Sequence, residues 1–382
     1  MTDSIELIPS SLPAPVGTPR WSVPLPAGSV SAIATAQGWS FVTAEQHLLA
    51  IDPTGRMVWT ATAPIMLYPL ALDNGMLLVY DGAGLTLRVQ ATGAIVTHIP
   101  TTAATMAVAT PTGDLVFGDH TEDGRRAVLR CVHADGSPFW SHPLAGSVLG
   151  APMVCDQHVV VSDGSTLRTC TLDGELAWSV AAADVPYLPL TDGIAVAAAD
   201  VTPSTIDLPP VRVGPRSVLV HVEHDDGYGW AVADVQAQTL RPLGAHLPSG
   251  VPLAVAPISA AGQQIVTLDW PVKDAADAWR SAVLAVDFTG QPRWTHQTTA
   301  RPVAIVADAR GYSFIVCSPA PDYWVKYRSW YHLDADCFIR CLTPDGVEVY
   351  TWHATGPIAP VLAIGDAGIV YAVADGRLWA IA

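Results

Sequence analysis

Apolar residues fall in short runs along the whole chain, separated by polar turns that carry glycine, and nowhere do they keep a helical period. The first unit sets the pattern. SAIATAQG reads as strand and turn, WSFVTAE as a second strand, HLLAID as a third, PTG as a turn and RMVWTA as a fourth. Four short strands joined by tight turns are the unit of a β-propeller blade. The third strand and its turn recur as LTLRVQATG, AVLRCVHADG, STLRTCTLDG, SAVLAVDFTG and CFIRCLTPDG. A degenerate copy is read at 217–227, SVLVHVEHDDG, and a last copy stops at the C-terminal GRLWAIA.

A tryptophan follows the turn glycine by four residues in Gly17–Trp21, Gly55–Trp59, Gly136–Trp140, Gly174–Trp178 and Gly290–Trp294. Gly346–Tyr350 keeps a ring, and Gly93–Thr97 keeps only the spacing. A repeat of about 40 residues means an array or a propeller. The large ring suits packing between neighbouring sheets, and the glycine suits a positive φ in the hairpin. These tryptophans are therefore expected to be structural.

The ends of the chain fit each other. GRLWAIA stops after a third strand, while Gly17–Trp21 is an outer strand with no partners before it. Joined, they complete one blade and remove two open sheet edges. Residues 20–25 are expected to pair with the last blade. The fold expected is all-β, an eight-bladed propeller of four-stranded antiparallel blades. Seven blades is the alternative count, because 185–250 parses in two ways. Residues 1–16 read as a flexible tail and 17–382 as a single domain.

Composition narrows the function classes. Half of the 382 residues are apolar and 14% are charged, which suits a large core and argues against disorder. The net charge of −16 argues against nucleic acid, whose phosphates need a basic footprint. A cationic partner and plain solubility both fit. No apolar run is long enough to span a membrane. MTDSIELIPSSLPAPVG has neither a basic n-region nor an apolar h-region, so a cytoplasmic location is expected. The six cysteines read as buried thiols. Cys337 and Cys341 are four apart, with no histidine or second pair to complete a zinc pattern. Neither a structural metal nor a bound cofactor is expected.

The residues Ala50, Asp52, Gly55 and Trp59, repeated as Ala285, Asp287, Gly290 and Trp294, resemble the tryptophan-docking, pyrroloquinoline-quinone-like propeller repeat. The likeness runs over nearly the whole chain from residue 17. That family includes quinone-dependent dehydrogenases and the lipoprotein propeller of the outer-membrane barrel-assembly machinery, which is nearest in size. The dehydrogenases resemble one another in an adjacent cysteine pair, and no two cysteines are adjacent in this chain. What the resemblance implies is a propeller that binds another chain.

Candidate chemistry lies in the loops between second and third strands. Three insertions are read near 200–216, 269–280 and 318–336, and long loops in a compact domain are usually functional or disordered. Trp270 and Trp279 lie in or beside the second, and Tyr323, Trp324, Tyr327, Arg328, Trp330 and Tyr331 in the third. Trp, Tyr and Arg together are the composition of binding hot spots. The other reading is a loop that buries its own rings on the propeller. Asp119, His120 and His332 are the candidates for an acid or base, although neither histidine matches a metal spacing. Acids close many second strands and would either ring a central funnel or cap turns.

The leading reading is non-catalytic recognition of a peptide or protein segment, cationic in one version, by aromatic loops on one face. One use is presentation of a substrate peptide to biosynthetic partner enzymes in a bacterium. The alternative is an enzyme with its site in an acidic central funnel, and a quinone-dependent reaction is the least favoured version of it.

Overall fold

The structure is a computed structural model. It describes residues 14–26, 30–65, 67–101, 104, 106–121, 127–146, 151–186, 210–212, 216–224, 227–242, 251–256, 263–270, 280–287, 292–298, 300–308, 310–318, 337–354, 356, 358–365 and 368–382. Among these, the strands form eight four-stranded antiparallel sheets. Numbered in chain order they span 30–62, 67–100, 108–143, 153–181, 211–242, 251–298, 301–353 and 358–381, the last completed from the N-terminus. Within each of the first seven sheets, sequence order is spatial order. The first strand of sheet eight touches that of sheet one, which closes the ring of a β-propeller. The one helix among the described residues is a 3₁₀ turn at Ala182–Asp184, and none is long and apolar enough to cross a membrane.

The core is a set of wedges between sheets. Phe41, Leu48 and Ala50 of sheet one pack on Leu77 and Val79 of sheet two. Leu129 and Cys131 of sheet three pack on Val159 and Val161 of sheet four. Val218, Val220 and Val222 of sheet five pack on Val160 and Leu167 of sheet four. Each fully buried Leu, Val or Phe contributes about 1.5–3 kcal/mol. Stability therefore depends on every seam, including the one that joins the two ends of the chain.

That closing seam is made as the sequence predicts. Pro19–Pro24 is the outermost strand of sheet eight and pairs with Arg377–Ile381, with Trp21 opposite Ala380 and Pro24 opposite Arg377. Val16 and Thr18 N–H both donate to the Ala382 carbonyl, at 3.0 and 3.2 Å. Arg377 Nε donates to Ser22 Oγ at 3.0 Å, and its Nη2 to the Ser22 carbonyl at 3.1 Å.

Sheet five corrects the sequence reading. Ser217–His224, expected to be a third strand, is the second strand, and it pairs with the third strand Gly227–Asp234. The insertion near 200–216 consequently does not separate a second strand from a third. Its range instead takes in the end of the connection from the last strand of sheet four, Leu176–Ala181, together with the first strand of sheet five, Val211–Arg212, and the residues up to Ser217. The marker is missing because the turn of sheet five holds Gln238, at φ 55°, where other sheets hold glycine. No ring follows it either.

Candidate functional site

The two ends of the ring are built differently. One end carries the turns between first and second strands and between third and fourth. The other carries the second-to-third loops and the crossovers between sheets.

At the turn end, the repeat is a docking device. The turn glycines have positive φ, 84° at Gly55 and 87° at Gly174, and each lies flat against a ring of the preceding sheet. A Cβ on Gly55 would sit 2.7 Å from the Trp21 ring, and one on Gly174 would sit 2.5 Å from Trp140. Gly93 meets Trp59, Gly346 meets Trp294 and Gly17 meets Tyr350 in the same way. Each of these indoles also donates its N–H to a carbonyl of the turn it covers: Trp21 to Pro53 at 3.1 Å, Trp59 to Gln90 at 2.7 Å, Trp140 to Leu172 at 2.9 Å and Trp294 to Pro344 at 2.6 Å. The Tyr350 hydroxyl is buried with no partner among the described residues, and burial pushes its pKa up.

The four-residue spacing has a backbone cause. The ladder between third and fourth strands slips by one residue just before each ring, skipping Val58, Phe139, Ala177, Arg293 and Val349, and in sheet two it skips Val96 just before Thr97. Such a bulge re-aims the residue beside it. In this chain it turns the ring onto the neighbouring sheet and leaves Val58, Val96, Phe139 and Val349 exposed. Sheet five has no ring, and its ladder from Ala231–Pro242 to Asp234–Thr239 has no slip.

At the loop end, acids that close second strands are largely held by their own loops. Asp81 accepts from Ala83 N–H at 3.1 Å, Gly84 N–H at 3.2 Å and the Thr86 hydroxyl. Burial alone would raise its pKa, but these bonds outweigh burial and hold it below the usual value. Asp163 accepts from Ser165 N–H at 3.1 Å, Thr166 N–H at 2.8 Å and Ala145 N–H at 3.2 Å. Both are turn caps.

Asp119 is buried and receives Arg130 Nη1 at 2.7 Å. His120 is the next residue on the same strand, Leu115–His120, so its side chain faces the other side of the sheet. Its Nδ1 is buried without a partner among the described residues. The structure thus does not join Asp119 and His120 into one acid–base pair. Trp270 ends the strand Gln263–Trp270, opposite Arg280, and marks the loop end of sheet six. Trp279, Tyr323, Trp324, Tyr327, Arg328, Trp330, Tyr331 and His332 lie outside the described residues.

Sequence reasoning missed a second repeated element, the arginine of the third strand. Arg130, Arg168 and Arg340 each reach back to the last residues of the previous sheet, at Pro100 O, Pro143 O and Thr298 Oγ1. The signal was present in AVLRC, TLRTC and FIRC. The six cysteines are free and buried, and burial pushes the Cys131, Cys317 and Cys341 thiols up to about 12. They are poor nucleophiles and ligands in that state. No group of three metal-ligating side chains occurs among the described residues.

Residues 88–203 match the family described as outer membrane protein assembly factor BamB, of the pyrroloquinoline-quinone-like repeat type. No curated protein matches the sequence significantly. The fold is similar to that of BamB from Moraxella catarrhalis, with TM-score 0.58 and 14% identity over 96% of this chain and 99% of that one. It is also similar to apo AztD from Citrobacter koseri, with TM-score 0.54 and 10% identity over 86% of each chain. KlHsv2 with loop 6CD replaced by a Gly-Ser linker gives TM-score 0.53 and 11% identity, over 87% of this chain and 99% of that one.

Proposed function

Starting from a propeller of the pyrroloquinoline-quinone-like repeat type, we propose that it is a non-catalytic interaction scaffold whose loop end binds a peptide or protein segment. One observation carries the reading. The aromatic segments 271–279 and 319–336 leave and re-enter their sheets at one end of the ring, between Trp270 and Arg280 and between Ser318 and Phe338. Sheets six and seven are neighbours, so the two segments start side by side. In sequence the two segments hold Trp279, Trp324, Trp330 and several tyrosines, and the first follows Trp270 directly. Aromatic and arginine side chains of this kind are the usual source of binding energy in interfaces.

The opposite end has its rings committed to glycines, so it supports the ring rather than a ligand. The matched family is described as a protein assembly factor, which supports a protein as partner. The net charge of −16 favours a cationic segment. Six free, buried thiols support work in a reducing compartment, the cytoplasm. Presentation of a substrate peptide to biosynthetic enzymes is the form of this function that the scaffold would serve.

The test replaces 320–335 by a Gly-Ser linker of equal length and reads two quantities, the melting temperature and the proteins retained from the native cytosol. An unchanged melting temperature with loss of a partner retained by the parent chain is expected. Retention of that partner would refute the assignment.

A further inference from the structure

The third-strand arginines allow one seam of the ring to be compared with another. Arg340 of sheet seven and Arg168 of sheet four occupy the same place, each six residues before its turn glycine. Their neighbours correspond through the register. Arg340 is opposite Ile315 as Arg168 is opposite Val161, and Leu342 is opposite Glu348 as Cys170 is opposite Leu176. His296 and His142 both stand two residues after a docked tryptophan.

The seam between sheets six and seven places three groups on its arginine. Arg340 Nη1 lies 3.0 Å from Thr298 Oγ1 and 3.2 Å from His296 Nε2, and its Nε lies 3.0 Å from Glu348 Oε2. A carboxylate of the protein therefore sits on this arginine. The seam between sheets three and four keeps the histidine, as His142, and Arg168 lies 3.5 Å from Asp163, but it lacks the counterparts of Thr298 and Glu348. Leu176 stands for Glu348, Leu144 for Thr298, and the smaller Cys170 for Leu342. What results is a cavity of about 160 Å³.

Its walls are Leu129, Leu144, Val161 and Cys170, and the half-exposed Leu176 brings it to the surface. His142, held by a hydrogen bond to the Gly174 carbonyl, forms another wall. Arg168 lines the same space, and its Nε, like that of Arg340, is buried and makes no hydrogen bond among the described residues, while Glu348 stands 3.0 Å from the Arg340 Nε. The remaining Arg168 contacts are long, 3.4 Å to the Pro143 carbonyl and 3.5 Å to Asp163. Asp163 Oδ1 accepts from the loop amides, and the Oδ2 that faces Arg168 also accepts from Ala145 N–H at 3.2 Å.

We propose that this seam is a binding site for a small organic monocarboxylate. Its carboxylate would take on Arg168 the place that Glu348 takes on Arg340. Its hydrocarbon part would fill the space left by Cys170, against Leu129 and Val161. An apolar cavity of about 150 Å³ accepts a benzene-sized guest, so the acid should hold about four to seven carbons. A buried Nε donor without an acceptor favours an anion over a neutral guest. This inference does not depend on the loop-end function.

The experiment titrates the full chain with butyrate and benzoate, and with 1-butanol and benzyl alcohol as uncharged counterparts, at an ionic strength fixed by sodium chloride. Calorimetry and melting temperature are the readouts. At least one acid should bind with unit stoichiometry, about tenfold or more tightly than its alcohol. Leu176→Glu restores the internal carboxylate at an exposed position, and Cys170→Leu refills the volume. Each should leave the melting temperature equal or higher and weaken acid binding about tenfold or more. Acid responses no larger than those of the alcohols would overturn the proposal. So would parent-like acid binding in Leu176→Glu and Cys170→Leu.

Discussion

Tryptophans of this chain fall into two groups by their position relative to glycine. At the turn end, Trp21, Trp59, Trp140 and Trp294 follow a glycine by four residues. Each covers the next sheet's turn glycine and donates to a carbonyl of that turn. Trp270, at the loop end of sheet six, and Trp279, Trp324 and Trp330, which fall in the sequence between second and third strands, have no such spacing. The difference teaches that residue type says little alone. A bulge before the ring and a glycine on the next sheet make a tryptophan structural. Trp352 and Trp379 lack both and instead pack on each other within the core.

Breaking a docked ring should have the largest effect on stability. Trp140→Ala removes a ring packed on Gly174 and a bond to the Leu172 carbonyl, and should cost about 3–5 kcal/mol in a denaturant titration. Removing residues 1–26 takes away the closing strand with Trp21 and should lower stability by a comparable, several-kcal/mol amount. A deletion that melts like the parent chain would contradict closure by this strand.

The glycines sharpen the contrast. Gly174→Ala meets both a φ of 87° and the Trp140 ring, whereas Gly113→Ala meets a φ of 89° with no atom within 4 Å. The second should cost about 1–2 kcal/mol for the left-handed backbone alone. Gly174→Ala should cost clearly more, and the difference isolates the ring contact.

A smaller effect is expected from pH. Burial, then the Arg340 guanidinium, pushes the His296 pKa below its ordinary 6.5. A depressed folded pKa means that the unfolded chain binds the proton first. Stability is therefore full above about pH 6.5 and declines as pH falls toward the folded value. His296→Gln should remove this part of the acid-side slope of the melting temperature. An unchanged slope would show that His296 does not titrate in the seam.

Much of the fold was legible because its signals are local. Glycine and ring lie four residues apart, and both ends of the chain carry parts of one repeat, so docking and closure could be read without a structure. Sheet five was misread for the same reason. Gln238 replaces glycine, no ring follows, and so Ser217–His224 was taken for a third strand when it is a second. The indole acceptors Pro53, Gln90, Leu172 and Pro344 are carbonyls, which no side-chain pattern reports. The arginine contacts to Pro100, Pro143 and Thr298 join different sheets and need the register first. The cavity beside Arg168 is more remote still, since it arises from Leu176 and Cys170 standing where another seam has Glu348 and Leu342. Of the candidate site, composition showed the aromatic segments, and strand ends locate where they leave the sheets.

The most direct measurement of the two-ended division pairs Trp330→Ala and Trp324→Ala with Trp140→Ala, reading unfolding free energy and partner binding on each purified chain. Both loop substitutions should change stability by no more than about 0.5 kcal/mol and should weaken binding by about 2 kcal/mol or more, some thirtyfold. Trp140→Ala should show the large stability loss. A loop variant as unstable as Trp140→Ala, or binding that survives both loop substitutions, would contradict recognition at the loop end.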